Sequence, residues 1–153
     1  MSEFKLTTEI IARSQAKTWD QAKLEWSLFD VYEVEEPETC LCGHFPIIEL
    51  CTLRNKLNEG EATVGNCCVK KFIGLPSEKI FQAVKRVRKD GTKSLNAEAI
   101  AHAFSKSWIT EWEQNFYFDV MRKRNLTVKQ AAKKAQINEK FIRNMQRPAQ
   151  SRG

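Results

Sequence analysis

The pentapeptide CLCGH, residues 40–44, decides how we interpret this chain of 153 residues. It places three potential metal ligands, Cys40, Cys42 and His44, within five positions. All five cysteines of the chain lie between Cys40 and Cys68. An odd number of cysteines argues against a closed framework of disulfides. We therefore expect thiols or a metal site in this region.

The remaining composition is that of an ordinary globular protein, with 42% hydrophobic and 29% charged residues. The amino-terminal stretch MSEFKLTTEIIARSQ has early acidic residues and no long apolar run, so no secretory signal is predicted. No uncharged apolar run reaches the ~18 residues that a membrane helix requires, and we expect no membrane contact. The prediction is a cytoplasmic protein, in which cysteines stay reduced or bind metal.

Strand patterns surround the cysteine cluster. The stretch LEWSLFDVYEVE, residues 24–35, is rich in aromatic and β-branched side chains and predicts a strand. PIIELCTL and EATVG, on either side of RNKLNEG, predict a hairpin with Gly60 in its turn. The sequence thus predicts an antiparallel unit of about three strands.

From residue 66 onward the pattern is helical. Helix caps are predicted at Asn96, at Thr110 with Glu113, and at Thr127 with Gln130. Two apolar stripes at helical spacing are predicted to be core: Ile80, Phe81, Val84 and Val87, and then Trp108, Trp112 and Phe116. We expect an α+β protein, with a zinc-centred β unit in residues 1–76 and an all-helical basic bundle in residues 77–153.

The spacing of the cysteines suggests four zinc ligands, since structural zinc is held tetrahedrally by Cys and His. Cys40-x-Cys42-Gly43 resembles a zinc knuckle, in which glycine lets the backbone turn beneath the metal. On a helix Cys68 shares a side with the apolar Phe72, whereas Cys67 shares a side with a lysine and should face solvent. The predicted ligands are Cys40, Cys42, Cys51 and Cys68, with His44 in reserve if Cys42 or Cys51 is not a ligand.

The longer pattern C-x-C-G, then C, then V-G-x-x-C-V-x-x-F runs from Cys40 to Phe72. It resembles a short zinc finger found in many small uncharacterised proteins of bacteria and phages. The resemblance implies a structural Zn²⁺ site and says little about activity. Four protein ligands leave no coordination position for water, so the metal is expected to be scaffolding.

Charge is distributed unevenly along the chain. Residues 1–39 have four basic and nine acidic side chains, whereas residues 77–153 have seventeen basic and seven acidic ones. A basic half suits a polyanion, and an acidic segment could face a basic protein partner. The clusters KRVRK and RKR predict contacts with nucleic-acid phosphates by Lys85, Arg86, Arg88, Lys89, Arg122, Lys123 and Arg124.

The stretch LTVKQAAKKAQINEKFIRNM, residues 126–145, resembles the helix-turn-helix of Cro-like repressors. In that motif a small residue, here Ala132, lies where two helices cross, and Gln136 occupies the turn. Asn138 is then predicted to cap the second helix, which enters the major groove of DNA. The residues that the resemblance places towards the groove are Glu139, Lys140, Arg143 and Asn144.

The sequence therefore predicts a small zinc-stabilised nucleic-acid-binding protein, a regulator or accessory factor for which DNA is favoured over RNA. The alternative is a protein–protein adaptor or inhibitor from a phage or mobile element, which docks through the acidic amino-terminal region and binds no nucleic acid directly. No enzyme is expected and no catalytic residue is predicted. The sequence has no glycine-rich phosphate loop, no paired nucleophile and base, and only two histidines.

Overall fold

A computed structural model describes residues 3–147 and shows an α+β fold with a four-stranded sheet, which confirms the predicted class. The chain divides into two compact units. The first comprises residues 3–77 together with Arg147, and the second comprises residues 78–146. Among the described residues, no helix has both the length and the apolar character needed to cross a membrane.

The first unit begins with two helices and continues into the sheet. Helix α1 (Glu3–Ala12) and the short α2 (Trp19–Ala22) precede a 3-10 turn, Lys23–Glu25. The strands are β1 (Trp26–Glu38), β2 (Ile47–Asn55) and β3 (Glu61–Gly65), with β4 (Gln146–Arg147) as a fourth, two-residue strand. A three-residue helix α3 (Asn66–Cys68) and a π-helical turn, Val69–Ile73, follow β3.

The sheet has the order β3-β2-β1-β4, and the predicted hairpin of β2 and β3 is confirmed. Antiparallel pairing places Leu50 opposite Gly65 and Cys51 opposite Val64. Strand β1 pairs with β2 in antiparallel register that is interrupted by two irregularities. Because the hairpin returns the chain to its starting end, Gly65 and the cysteines after it come back to the segment that precedes β2.

A buried carboxylate ties the segment before β1 to the turn after β2. Glu25 accepts hydrogen bonds from the backbone N–H groups of Gln15 and Ala16, at 2.9 and 2.7 Å. Its other contact is the Asn55 side-chain amide at 2.9 Å, and Asn55 in turn accepts from the backbone of Leu57. These bonds satisfy the carboxylate and lower the pKa of Glu25, chiefly through Asn55.

The second unit is built from four helices: α4 (Ser77–Lys89), which starts at the last residue of the first unit, α5 (Ala97–Ser105), α6 (Glu111–Val120) and α7 (Val128–Met145). The caps predicted at Asn96, Thr110 and Thr127 are confirmed. The Asn96 side chain accepts from the Ala99 N–H, and both Thr110 with Glu113 and Thr127 with Gln130 form complete capping boxes. The predicted apolar stripe of α4 is buried: Ile80, Phe81, Val84 and Val87.

The predicted helix-turn-helix is wrong. Residues 128–145 form one continuous helix, α7, so no turn occurs at Gln136 and no second helix begins at Asn138. The physical reason is local, because the stretch AAKKAQ consists of strong helix formers and has no glycine that would favour a left-handed turn. Gln136 instead accepts a hydrogen bond from Lys133 on the same helix, at 3.0 Å.

Asn138 lies inside α7 and is only 1% exposed. Its amide nitrogen donates to the carbonyls of Gly91 and Lys93, at 3.1 and 2.9 Å. Its oxygen accepts from the Tyr117 hydroxyl at 2.6 Å, and that hydroxyl accepts from the Leu95 N–H at 2.8 Å. The side chain therefore fixes the loop between α4 and α5 rather than capping a helix.

The second apolar stripe is only partly core. Trp108 and Phe116 are half-buried, but Trp112 is 62% exposed, so the prediction that Trp112 belongs to the core is wrong. Its ring stacks on Phe116 at 5.3 Å between centroids, and the Lys133 ammonium lies 5.7 Å from its centroid. A helix surface can thus show the periodicity of a core stripe while its aromatic side chains cover one another at the surface.

We predict that Asn138→Ala lowers the free energy of unfolding of the second unit by about 2 kcal/mol, because it leaves buried hydrogen-bonding groups unpaired. Asn144→Ala is the matched control on the same helix, since Asn144 is exposed and bonds only locally to the Lys140 carbonyl. Its effect should stay within about 0.5 kcal/mol. Urea unfolding followed by helical circular dichroism measures both, and equal effects would contradict the role assigned to Asn138.

Candidate metal centre

Three buried thiols converge in the first unit. The sulfur atoms of Cys40, Cys42 and Cys68 all lie within 4.8 Å of one another, and this group could hold a metal ion. Sulfur atoms at tetrahedral corners around a zinc ion with bonds of ~2.3 Å are about 3.8 Å apart. Separations of at most 4.8 Å are therefore compatible with three sulfurs that bind one ion.

Residues 40–44 form a tight turn that presents the first two sulfurs. The Cys40 N–H donates to the His44 carbonyl at 2.9 Å, and the Gly43 N–H donates to the Cys40 carbonyl at 2.8 Å. Gly43 has a φ of +94°, which side chains rarely adopt, so glycine is needed at this position. The glycine that the sequence associated with a knuckle thus has the expected backbone role.

Backbone N–H groups donate hydrogen bonds to two of the sulfurs, and such bonds stabilise thiolates. Cys40 Sγ accepts from the Gly65 N–H at 3.2 Å and from the Cys42 N–H at 3.5 Å. Cys42 Sγ accepts from the His44 N–H at 3.4 Å. Hydrogen bonds to the charged form favour ionisation, so the site is prepared for thiolate ligands.

The pKa of Cys40 is lowered to about 5, first because the Cys68 thiol donates a hydrogen bond to it and then because of the two backbone donors, against the effect of burial. The same bond raises the pKa of Cys68, which keeps its proton in the chain without metal. A metal ion would replace that shared proton. In the Cys40–Cys68 pair, Cys40 is thus the thiol that ionises first.

The third sulfur comes from the helical segment that follows β3. Cys68 is buried in α3 and Cys67 is exposed, as the sequence predicted from the sides that they share with Phe72 and Lys71. The segment continues as the π-helical turn and ends at Gly74, which has a φ of +82°. At Gly65, the end of β3, an added Cβ would lie 3.2 Å from the Ile47 side chain and in ordinary contact, 3.6 Å, with the Cys40 sulfur.

Cys51, the remaining predicted ligand, is not in this group. It is fully buried on β2, where its thiol forms a hydrogen bond with the side chain of Ser77. Burial raises the pKa of Cys51 to about 12, so it remains a neutral thiol.

A cavity of about 340 Å³ adjoins the three sulfurs. Its wall is mostly apolar, but three more potential donors line it: His44, Glu49 and Cys67. Glu49 accepts from the Asn66 side chain at 3.2 Å, and Asn66 accepts from the Ser77 hydroxyl at 2.7 Å. This chain of polar groups, in which Asn66 and Ser77 are buried and Glu49 is half-buried, ties β2 to the segment that carries Cys68; no sequence pattern signalled it.

The residues predicted to contact nucleic acid lie in the second unit, and most of them are exposed. The seven cations of the two basic clusters are all exposed: Lys85, Arg86, Arg88, Lys89, Arg122, Lys123 and Arg124. Arg143 and Asn144 are exposed on α7. Lys140 donates to the buried carboxylate of Glu113 at 2.7 Å and is therefore engaged within the protein.

Glu113 is the centre of a small charged group that sequence reasoning identified only as a cap. Burial favours its neutral form, but hydrogen bonds from Lys140, the Thr110 backbone and Lys133 lower the pKa of Glu113 to about 2. One carboxylate thus holds two lysines of α7 against α6.

Comparisons of the chain with protein-family models, with curated protein sequences and with solved structures gave no match.

We predict that Cys40→Ser, Cys42→Ser and Cys68→Ser each abolish stoichiometric metal binding, whereas Cys51→Ser and Cys67→Ser retain it. Each of the first three substitutions removes one of the three close thiolates. Cys51 and Cys67 are not expected to be ligands, because Cys51 bonds to Ser77 and Cys67 is exposed. Metal analysis of each purified variant after dialysis is the measurement. Cys67→Ser also serves as the matched control, because it changes the neighbour of Cys68. Loss of metal in Cys51→Ser would contradict the arrangement described above.

Proposed function

We propose that the first unit contains a structural zinc site with the ligands Cys40, Cys42, Cys68 and His44. The observation that supports it is the group of three buried sulfurs within 4.8 Å. Three thiolates and an imidazole form one of the closed ligand sets of structural zinc, and soft sulfur donors select zinc over calcium or magnesium. A closed set leaves no position for water, so the metal stabilises the fold and performs no reaction.

His44 is the preferred fourth ligand for two reasons. It lines the cavity beside the sulfurs, and it belongs to the same tight turn as Cys40 and Cys42. Cys67 lines the cavity too, but it neighbours Cys68, and adjacent residues rarely reach one tetrahedral ion without distorting the backbone. Glu49 is already bonded to Asn66.

The ligand set can be tested with cobalt, whose visible spectrum reports the number of bound thiolates. We predict that His44→Ala weakens Co²⁺ binding at least tenfold yet leaves the sulfur-to-metal charge-transfer band at the intensity of three thiolates. Cys67→Ser is the control and should change neither quantity. If Cys67→Ser lowered the band by a third while His44→Ala changed nothing, Cys67 would be the fourth ligand.

We further propose that the second unit binds nucleic acid through phosphate contacts, as an accessory factor rather than a reader of sequence. Residues 78–146 hold fifteen basic and seven acidic side chains, and the seven cations of the two clusters are exposed. Exposed lysine and arginine release condensed counterions when they meet phosphates, which makes this binding largely independent of sequence. The observation that carries the proposal is this exposed positive charge.

We do not expect this unit to read the base sequence. The continuous helix α7 removes the two-helix geometry that would aim Arg143 and Asn144 into a groove, and Lys140 is paired with Glu113. Contacts to phosphates fix the position of a protein on nucleic acid but give no sequence information. We therefore expect weak discrimination between sequences, and duplex DNA as the first ligand to test.

We predict that affinity for duplex DNA falls steeply with salt and that the double variant Arg86→Gln/Lys89→Gln reduces the log–log slope by about two units, one for each lost phosphate contact. Both side chains are exposed near the end of α4. The charge-matched control is Lys17→Gln/Lys56→Gln, since these lysines are exposed in the first unit. Fluorescence anisotropy at several salt concentrations gives the slopes, and a wild-type slope near zero would refute the proposal.

A protein adaptor remains the second candidate, because apolar side chains are exposed next to the cysteine centre. Phe45, which precedes β2, is 60% exposed, and Ile48, the second residue of β2, is 52% exposed. Exposed apolar patches of this kind are typical of protein contacts. The two functions separate in one comparison: Phe45→Ser/Ile48→Ser should leave DNA affinity unchanged and should abolish a complex that survives nuclease treatment.

A further inference from the structure

The second unit contains a cavity with cationic walls that is separate from the exposed clusters on α4. It has a volume of about 290 Å³, and Lys123, Arg124 and Lys134 line it together with Gly91 and Thr92. None of the described residues that line it is acidic. Three cations around one small cavity repel one another unless an anion lies between them.

Lys134 is the unusual member of this group. The residue is only 7% exposed, and its ammonium donates to the Thr92 carbonyl at the long distance of 3.4 Å. Lysine is almost never this deeply buried without a charged partner, since burial disfavours the ammonium. Burial lowers the pKa of Lys134.

The loop that supplies Gly91 and Thr92 is firmly held. Asp90 accepts from the Thr92 N–H at 3.0 Å and from its hydroxyl at 2.7 Å, so the carboxylate of Asp90 is engaged within the loop. The side-chain amide of Asn138, on α7, donates a hydrogen bond to the Gly91 carbonyl. The walls of the cavity are therefore built before any ligand arrives, which reduces the entropy lost on binding.

We propose that this cavity binds a phosphate group, with the Lys134 ammonium at its base and Lys123 and Arg124 at its rim. A phosphate dianion balances the buried ammonium and can accept hydrogen bonds from all three cations. An arginine guanidinium suits two phosphate oxygens at once, and a lysine acts as a point charge. The volume, near the lower limit of small-molecule pockets, fits one phosphorylated group.

The inference goes beyond the proposed function, because a free phosphate ester and a nucleic-acid phosphate present the same chemical group. It also selects Lys123 and Arg124 from the seven exposed cations as residues with a defined binding geometry. The other five cations would make only diffuse contacts with a polyanion.

The test is a titration of the full-length, zinc-loaded protein with inorganic phosphate at constant ionic strength, with chloride as the balancing anion. Amide resonances of Gly91, Thr92 and Lys134 should shift and saturate, and their shifts give Kd. Lys134→Met keeps the buried methylene chain and removes the charge, and we expect it to raise Kd at least tenfold. Lys129→Met, an exposed lysine on the same helix, is the matched control and should leave Kd within twofold.

Arg124→Gln tests the rim without touching the interior, because Arg124 is exposed, and it should raise Kd at least threefold. Absent or unsaturated shifts in the wild type, or an unchanged Kd in both Lys134→Met and Arg124→Gln, would overturn the inference. Phosphate that displaces labelled duplex DNA identifies nucleic acid as the source of the group. Saturable phosphate binding that leaves duplex binding unchanged, or that occurs where no duplex binds, identifies a free phosphate ester instead.

Discussion

The convergence of Cys40, Cys42 and Cys68 is the interaction on which the first unit depends. Two cysteines come from the turn before β2, and the third comes from the helical segment after β3, so the whole hairpin lies between them in the chain. Closing such a loop costs conformational entropy, and burying thiolates costs solvation. Backbone N–H donors from Gly65, Cys42 and His44 offset part of that cost. We propose that a zinc ion supplies the rest.

Local signals in the sequence predicted local structure well. The turn with Gly60, the three caps and the apolar stripe of α4 each depend on residues within one or two turns of one another, and all are confirmed. The exposed Cys67 and buried Cys68 were predicted for the same reason, since the side of a helix follows from spacing alone. These features required no knowledge of what packs against what.

The differences between prediction and structure concern contacts between distant segments. Cys51 was predicted as a ligand from its spacing, but it lies outside the group of three close sulfurs. Asparagine is a common helix cap, but Asn138 lies inside a helix. Its side-chain hydrogen bonds are made with Tyr117 and with the carbonyls of Gly91 and Lys93. Helix α7 contains the apolar pattern of two crossing helices, and that pattern is also produced by one long helix whose partners lie on one side. The apolar period therefore cannot distinguish one long helix from two short ones when no glycine or proline interrupts the sequence.

The two units carry opposite charge in the sequence, and each has its own chemistry. The first is acidic and holds the sulfur site, and the second is basic and holds the cavity around Lys134. X-ray absorption spectroscopy at the zinc edge of the purified protein tests the central claim about the first unit most directly. We expect three sulfur ligands at about 2.3 Å and one nitrogen ligand at about 2.0 Å. A protein without zinc, or a zinc ion with four sulfur ligands, would contradict it.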